Sequence, residues 1–187
     1  MPENFVKAWT CVGSAGVVNL PDIGKIIFNN SIAQLGPASS VVVGPPAESA
    51  ADAKLLRTQT TTAVIRYGVV AVDGVYLVHD PSAPPFVQVL RLRYRDGAGH
   101  VSAKLIQVNL EFGTELTQFQ FDSGFNNPVS NDFQIGTSDP KGLELDFLDN
   151  AYYVELTLTL TEPLLTERPP AFPPAVSLIQ FGLTPPF

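Results

Sequence analysis

Two histidines, one cysteine and a scatter of carboxylates are the side chains of this 187-residue sequence with types suited to chemistry. His79 stands in Leu77-Val78-His79-Asp80-Pro81 with Ser82 just beyond it. A serine hydrolase needs those residue types, but it needs them as a positioned base, an orienting acid and an activated nucleophile. No Gly-x-Ser-x-Gly elbow accompanies them. His100 follows Asp96-Gly97-Ala98-Gly99, the tip of a hairpin, and both histidines read as turn and strand-end residues. Cys11, in Trp9-Thr10-Cys11-Val12-Gly13, has no histidine or second cysteine beside it and reads as a small buried hydrophobe. Dinucleotide-binding glycine loops, phosphate loops and zinc spacings are missing. We expect no enzyme and no cofactor.

The carboxylates form the one polar group of interest. Asp122, Asn126, Asp132 and Asp139 lie in or beside loops, and such oxygen-rich loops hold calcium when several converge. The competing role is local, since Asp and Asn stabilise turns by bonding to nearby backbone. Asp146 and Asp149 approach another corner, and a carboxylate-dependent glycoside hydrolase is the nearest enzymatic alternative. It would need carboxyl groups flanking an open cleft, which two residues so close in sequence do not establish.

Composition narrows the classes further. The chain has 18 acidic and 11 basic residues and a formal net charge of -7, which argues against a nucleic-acid binder. Residues 1–104 carry 9 basic and 7 acidic side chains, whereas residues 105–187 carry 2 and 11. A lone cysteine excludes an intrachain disulfide. Residues 1–16 show no basic leader followed by an apolar core, so no secretory signal is expected, and synthesis in the cytoplasm leaves the final location open. Apolar runs are too short for a membrane-spanning helix. Asn29-Asn30-Ser31 matches a glycosylation sequon by chance composition.

The elements that must position these groups are strands. Ala63, Ile65, Tyr67, Val69 and Ala71 share one face of a strand that Val64 and Val70 make apolar on the other side too. Leu90, Leu92 and Tyr94 alternate with Arg91, Arg93 and Arg95 before an Asp96-Gly97 turn. Ile106, Val108, Leu110 and Phe112 precede Gly113, and Thr117, Phe119 and Phe121 return as the second arm of a hairpin. Leu143, Leu145 and Phe147 predict another strand, and Tyr152 to Leu160 the longest one, opposed by Tyr153, Glu155, Thr157, Thr159 and Thr161. Lys25 to Leu35 and Ser39 to Val43 are weaker strands, Phe133 and Ile135 a short one, and Ala47 to Leu56 the best helix candidate. Seventeen prolines and fourteen glycines punctuate the whole. One domain over 1–187 is expected, an antiparallel β-sandwich of jelly-roll type, with 1–24 as an extended N-terminal segment.

This pattern, ending in Ser177-Leu178-Ile179-Gln180-Phe181-Gly182-Leu183, resembles the trimeric jelly-roll heads of the tumour-necrosis-factor and complement-C1q type. The resemblance is one of architecture and carries no binding residues across. A lone sandwich needs only its inner faces apolar, so surplus apolar faces imply a partner. We expect a structural or interaction module that assembles as a homo-oligomer, with a closed trimer preferred, in a particle, fibre or surface assembly. The interface residues expected are Val64, Val70, Arg91, Arg93, Arg95, Tyr153, Thr157, Thr159 and Phe181, with the arginines near Glu111 or Glu155 across strands or subunits. The alternative is a carbohydrate-binding module, with Tyr153 lining a groove for a glycan.

Overall fold

A computed structural model describes residues 6–36, 58–70, 87–97, 99–126, 128–142, 145–163 and 172–184. The strand expected at Ser39–Val43, the helix expected at Ala47–Leu56, and His79 with Ser82 lie outside the described residues. In chain order the strands are β1 (Val6–Val12), β2 (Val17–Val18), β3 (Ile26–Asn29), β4 (Ile32–Leu35), β5 (Thr58–Val69) and β6 (Val87–Arg95). They continue as β7 (Gly99–Asn109), β8 (Glu115–Asp122), β9 (Gln134–Thr137), β10 (Asn150–Pro163) and β11 (Ala175–Thr184). One α-helical turn, α1 (Ser123–Asn126), follows β8. The chain is an all-β sandwich of two antiparallel sheets.

Sheet A has the order β3-β4-β11-β6-β9, with β1 also paired to β11, and sheet B the order β2-β5-β10-β7-β8. The long alternation from Tyr152 to Leu160 becomes the centre of sheet B. There Val154 lies between Tyr67 and Leu105, and Leu156 between Ile65 and Ala103. In sheet A, β11 is central, with Phe181 between Trp9 and Leu90. The two inner faces meet in one core that includes Trp9, Leu35, Ile65, Tyr67, Leu92, Tyr94, Leu105, Phe121, Leu156 and Phe181. Edge-to-face ring pairs, Tyr94–Phe121 at 5.0 Å and Phe119–Phe181 at 5.4 Å, join strands of opposite sheets.

The structure corrects several expectations about elements. Of the segment 1–24, expected to be extended, the described residues contribute β1, which pairs with β11 and buries Trp9 in the core. Lys25 to Leu35 is not one strand but the β3–β4 hairpin, turned at Asn30 with φ 52. The strand expected to reach Phe112 ends at Asn109, whose side chain accepts the backbone N–H groups of Glu111 and Phe112 and folds the tip. The strand expected over 143–147 is loop at its described residues: Asp146 turns back to accept the Leu148 N–H, although Leu145 remains in the core.

Candidate functional site

Three surfaces of the sandwich carry the candidate residues. On the outer face of sheet A, β6 presents Arg91, Arg93 and Arg95, because its alternate residues Leu90, Leu92 and Tyr94 are fully buried. Arg93 lies across from Leu178 on one side and Ile135 on the other, and Arg91 across from Gln180 and Thr137. The guanidinium carbons of Arg93 and Arg95 both stand 5.3 Å from the Phe133 ring centre, and Arg95 also faces Phe172 at 5.2 Å. Arg95 donates to Gln34 Oε1 and to the Pro173 carbonyl, and burial lowers its pKa. Among the described residues no carboxylate forms an ion pair with Arg93 or Arg95. Within the chain the expected acidic neighbours do not lie across strands from the arginines: Glu155 belongs to sheet B and pairs with Arg66 at 2.9 Å, and Glu111 sits at the β7–β8 tip.

The outer face of sheet B carries Val64, Arg66, Tyr153, Glu155, Thr157 and Thr159. Arg66 donates through Nε and Nη2 to Glu155, and its guanidinium covers the Tyr153 ring at 5.2 Å. The Glu155 hydrogen bond raises the Arg66 pKa. Tyr153 donates to Glu115 Oε1 at 3.0 Å, and its pKa is raised by burial and by this carboxylate. A ring so engaged is a poor open platform for a sugar. Thr62 and Thr159 hydroxyls meet at 3.2 Å across the strands. Val64 is half-buried and Val70, past the end of β5, is 64% exposed.

The interface set thus divides between two opposite faces, and one member leaves it. Phe181 is fully buried against Phe119, since the β11 alternation aims it inward, and it is a core residue rather than an interface residue.

The four calcium candidates do not converge. Asp122 Oδ1 accepts from the Gly124 N–H and meets His100 Nε2 at 2.6 Å, so it caps the end of β8. Asp132 and Asp139 are exposed at opposite ends of β9, and Asn126 ends α1. Among the described residues no three His, Cys, Asp or Glu side chains group as a metal site. Cys11 is half-buried beside the core, and burial raises its pKa, which disfavours the reactive thiolate.

The third surface lies at the end of the sandwich where the β7–β8 tip meets the corner before β10. The Leu110 N–H donates to the Asp149 carbonyl at 2.9 Å and locks the two loops together. Between them is a cleft of about 370 Å³ lined by Asn109, Leu110, Glu111, Leu148 and Asp149. Leu110, Phe112 and Leu148 are 59%, 71% and 83% exposed, and no Lys or Arg occurs in 109–116 or 145–151. Alternating hydrophobicity assigned Leu110 and Phe112 to a strand; the signal for the tip was the Asn109 to Gly113 spacing, an Asx turn closed by glycine.

Comparison with protein-family models, with curated proteins and with solved structures gives no significant match. Among the described residues no helix is long and apolar enough to cross a membrane.

Proposed function

We propose that this chain is a non-enzymatic structural module that self-assembles into a closed homo-oligomer, a trimer being preferred, wound as a jelly roll. The winding is supported by strand order. The C-terminal strand β11 lies between β1 and β4 on one side and β6 on the other, while β10 lies between β5 and β7. Late strands therefore insert between early ones in both sheets, as a doubled Greek key requires.

The observation that carries assembly is the segment from 17 to 28. It crosses from β2 in sheet B to β3 in sheet A and leaves Val17, Leu20 and Ile23 at 73%, 84% and 66% exposure. Ile27 and Phe28 follow at 44% and 43%. Scattered apolar residues are ordinary on a monomer, but five exposed ones within twelve residues concentrate apolar surface along one segment, of the kind subunit contacts cover. Light scattering coupled to size-exclusion chromatography tests the proposal. A stable multiple of 20.1 kDa at micromolar concentration is expected, and a monodisperse particle of that single mass overturns it.

A further inference from the structure

We propose that the cleft at the β7–β8 tip is a guanidinium-binding site, and that its ligand is Arg93 on the outer face of sheet A in a second copy of the chain. This rests on the assembly reading and names one contact within it, separate from the segment 17–28.

The cleft has the chemistry of an arginine receptor. Its walls are Leu110 and Leu148, which suit the three methylenes of an arginine stem, and its carboxylates are Glu111 and Asp149. Both acidic residues are exposed, and their side chains form no ion pair among the described residues. The Asp146 carboxylate is already used, accepting from the Leu148 and Asp149 N–H groups, and so fixes the corner that presents Asp149. A volume of about 370 Å³ accommodates one such side chain, and both Glu111 and Asp149 are among the residues that line it.

The opposite half of the contact is the β6 face. Arg93 is exposed and held over Phe133, so its position is set before any partner arrives. Between the flanking Arg91 and Arg95, it has apolar neighbours across the strands: Ile135 at 51% exposure on one side, and Leu178 and then Val12, at 41%, on the other. Apolar surface and charge therefore match on both sides: basic with Ile135 and Val12 on sheet A, acidic with Leu110, Phe112 and Leu148 at the tip. A tip-to-face contact joins two different patches, so it is heterologous, and closing it by rotation gives a ring. Closure leaves neither the tip nor the arginine face vacant, in keeping with the closed oligomer proposed above.

The test is sedimentation velocity of the full chain with Arg93→Glu, with Glu111→Arg plus Asp149→Arg, and with all three changes together, circular dichroism confirming that each folds. Each reversal alone is expected to weaken association on the order of thirtyfold or more, as for loss of one partner of an interfacial charge pair. The combined variant is expected to recover the wild-type mass, because the pair is restored with its charges exchanged. Dissociation by either reversal without recovery in the combined variant overturns the pairing. A wild-type oligomer untouched by both reversals overturns the contact while leaving assembly intact, whereas a wild-type monomer overturns assembly itself. Unchanged mass with retention on a sulfated matrix lost only in Arg93→Glu assigns the arginine row to a polyanion and also overturns the pairing.

Discussion

Asp22 shows how a single carboxylate ties one segment to the edge of a sheet. It is 8% exposed, accepts from the Val64 N–H at 3.0 Å and pairs with Lys25 at 2.6 Å. Burial opposes its charge, but the bonds from Lys25 and Val64 outweigh burial and hold its pKa below the ordinary value. A depressed carboxylate contributes stability above its unfolded pKa and loses it as pH falls through the folded one, here below about pH 4. Asp22→Ala leaves the Val64 N–H without its acceptor and is expected to cost about 2–3 kcal/mol near neutrality. Urea midpoints between pH 2 and 7 check this: the acid decline should be shallower in the variant. Phe181→Ala is expected to cost about 3–5 kcal/mol in the same measurement, because the ring is fully enclosed by the core. A cost under 1 kcal/mol would mean that the ring lies outside the core. Local alternation showed that Phe181 shares a face with Ile179, but not that this face looks inward. Sheet position supplied that answer.

At the level of elements, the two glycine-bearing turns contrast: Gly113 closes the β7–β8 hairpin within sheet B, whereas the Asp96-Gly97 turn, expected as a hairpin tip, instead carries the chain from β6 in sheet A to β7 in sheet B. Gly113 ends the β7–β8 tip with φ 66, and a Cβ there meets open space. Gly97, between β6 and β7, has φ 56, and a Cβ there would stand 1.9 Å from the Phe172 carbonyl oxygen. Its N–H also donates to the Ser130 carbonyl, and buried Asp96 accepts from the Ser130 N–H, so this turn is clamped by two distant loops. Gly113→Ala is expected to cost about 1 kcal/mol, the price of the left-handed conformation alone. Gly97→Ala adds a backbone collision and is expected to cost about 3 kcal/mol or more. Equal costs in chemical denaturation would contradict the clamp. Both turns were legible, as Asp96-Gly97 and as the residues before Gly113, yet their difference was not. A clamp made by Ser130 and Phe172 involves residues more than thirty positions away, which no local pattern encodes.

For the molecule as a whole, the ends of the chain complete one another. Trp9 in β1 lies opposite Phe181 in β11, and β11 fills the centre of sheet A between strands from the first half. A chain ending at 163 would lack that strand, leaving β6 and β4 without their shared neighbour and the core open on one side. Such a truncation is expected to show no cooperative unfolding transition by circular dichroism, while the full chain shows one. The same topology predicts slow folding, in milliseconds to seconds, because distant segments must meet before either sheet is complete. Trp9 is the single tryptophan and is 6% exposed, so stopped-flow fluorescence reads the closure of sheet A directly. A microsecond recovery of its signal would exclude that order of events.

By itself the sequence determined the period of its strands, the identity of most turns and, among the described residues, a chain built of strands rather than long helices. These are local properties, set by alternation and by the dihedral demands of Gly, Pro, Asn and Asp. It also placed Arg91, Arg93 and Arg95 on one face, since a strand can do nothing else with residues two apart. Only the tertiary structure decided what each face meets. Glu111 or Glu155 was expected near those arginines across strands or subunits; within the chain, β10 joins β5 and so pairs Glu155 with Arg66. The cleft between Leu110 and Leu148 exists because two loops nearly forty residues apart are joined by one backbone bond. Strand pairing is chosen by the burial of whole faces, and burial is a property of the assembled sheets rather than of any one segment.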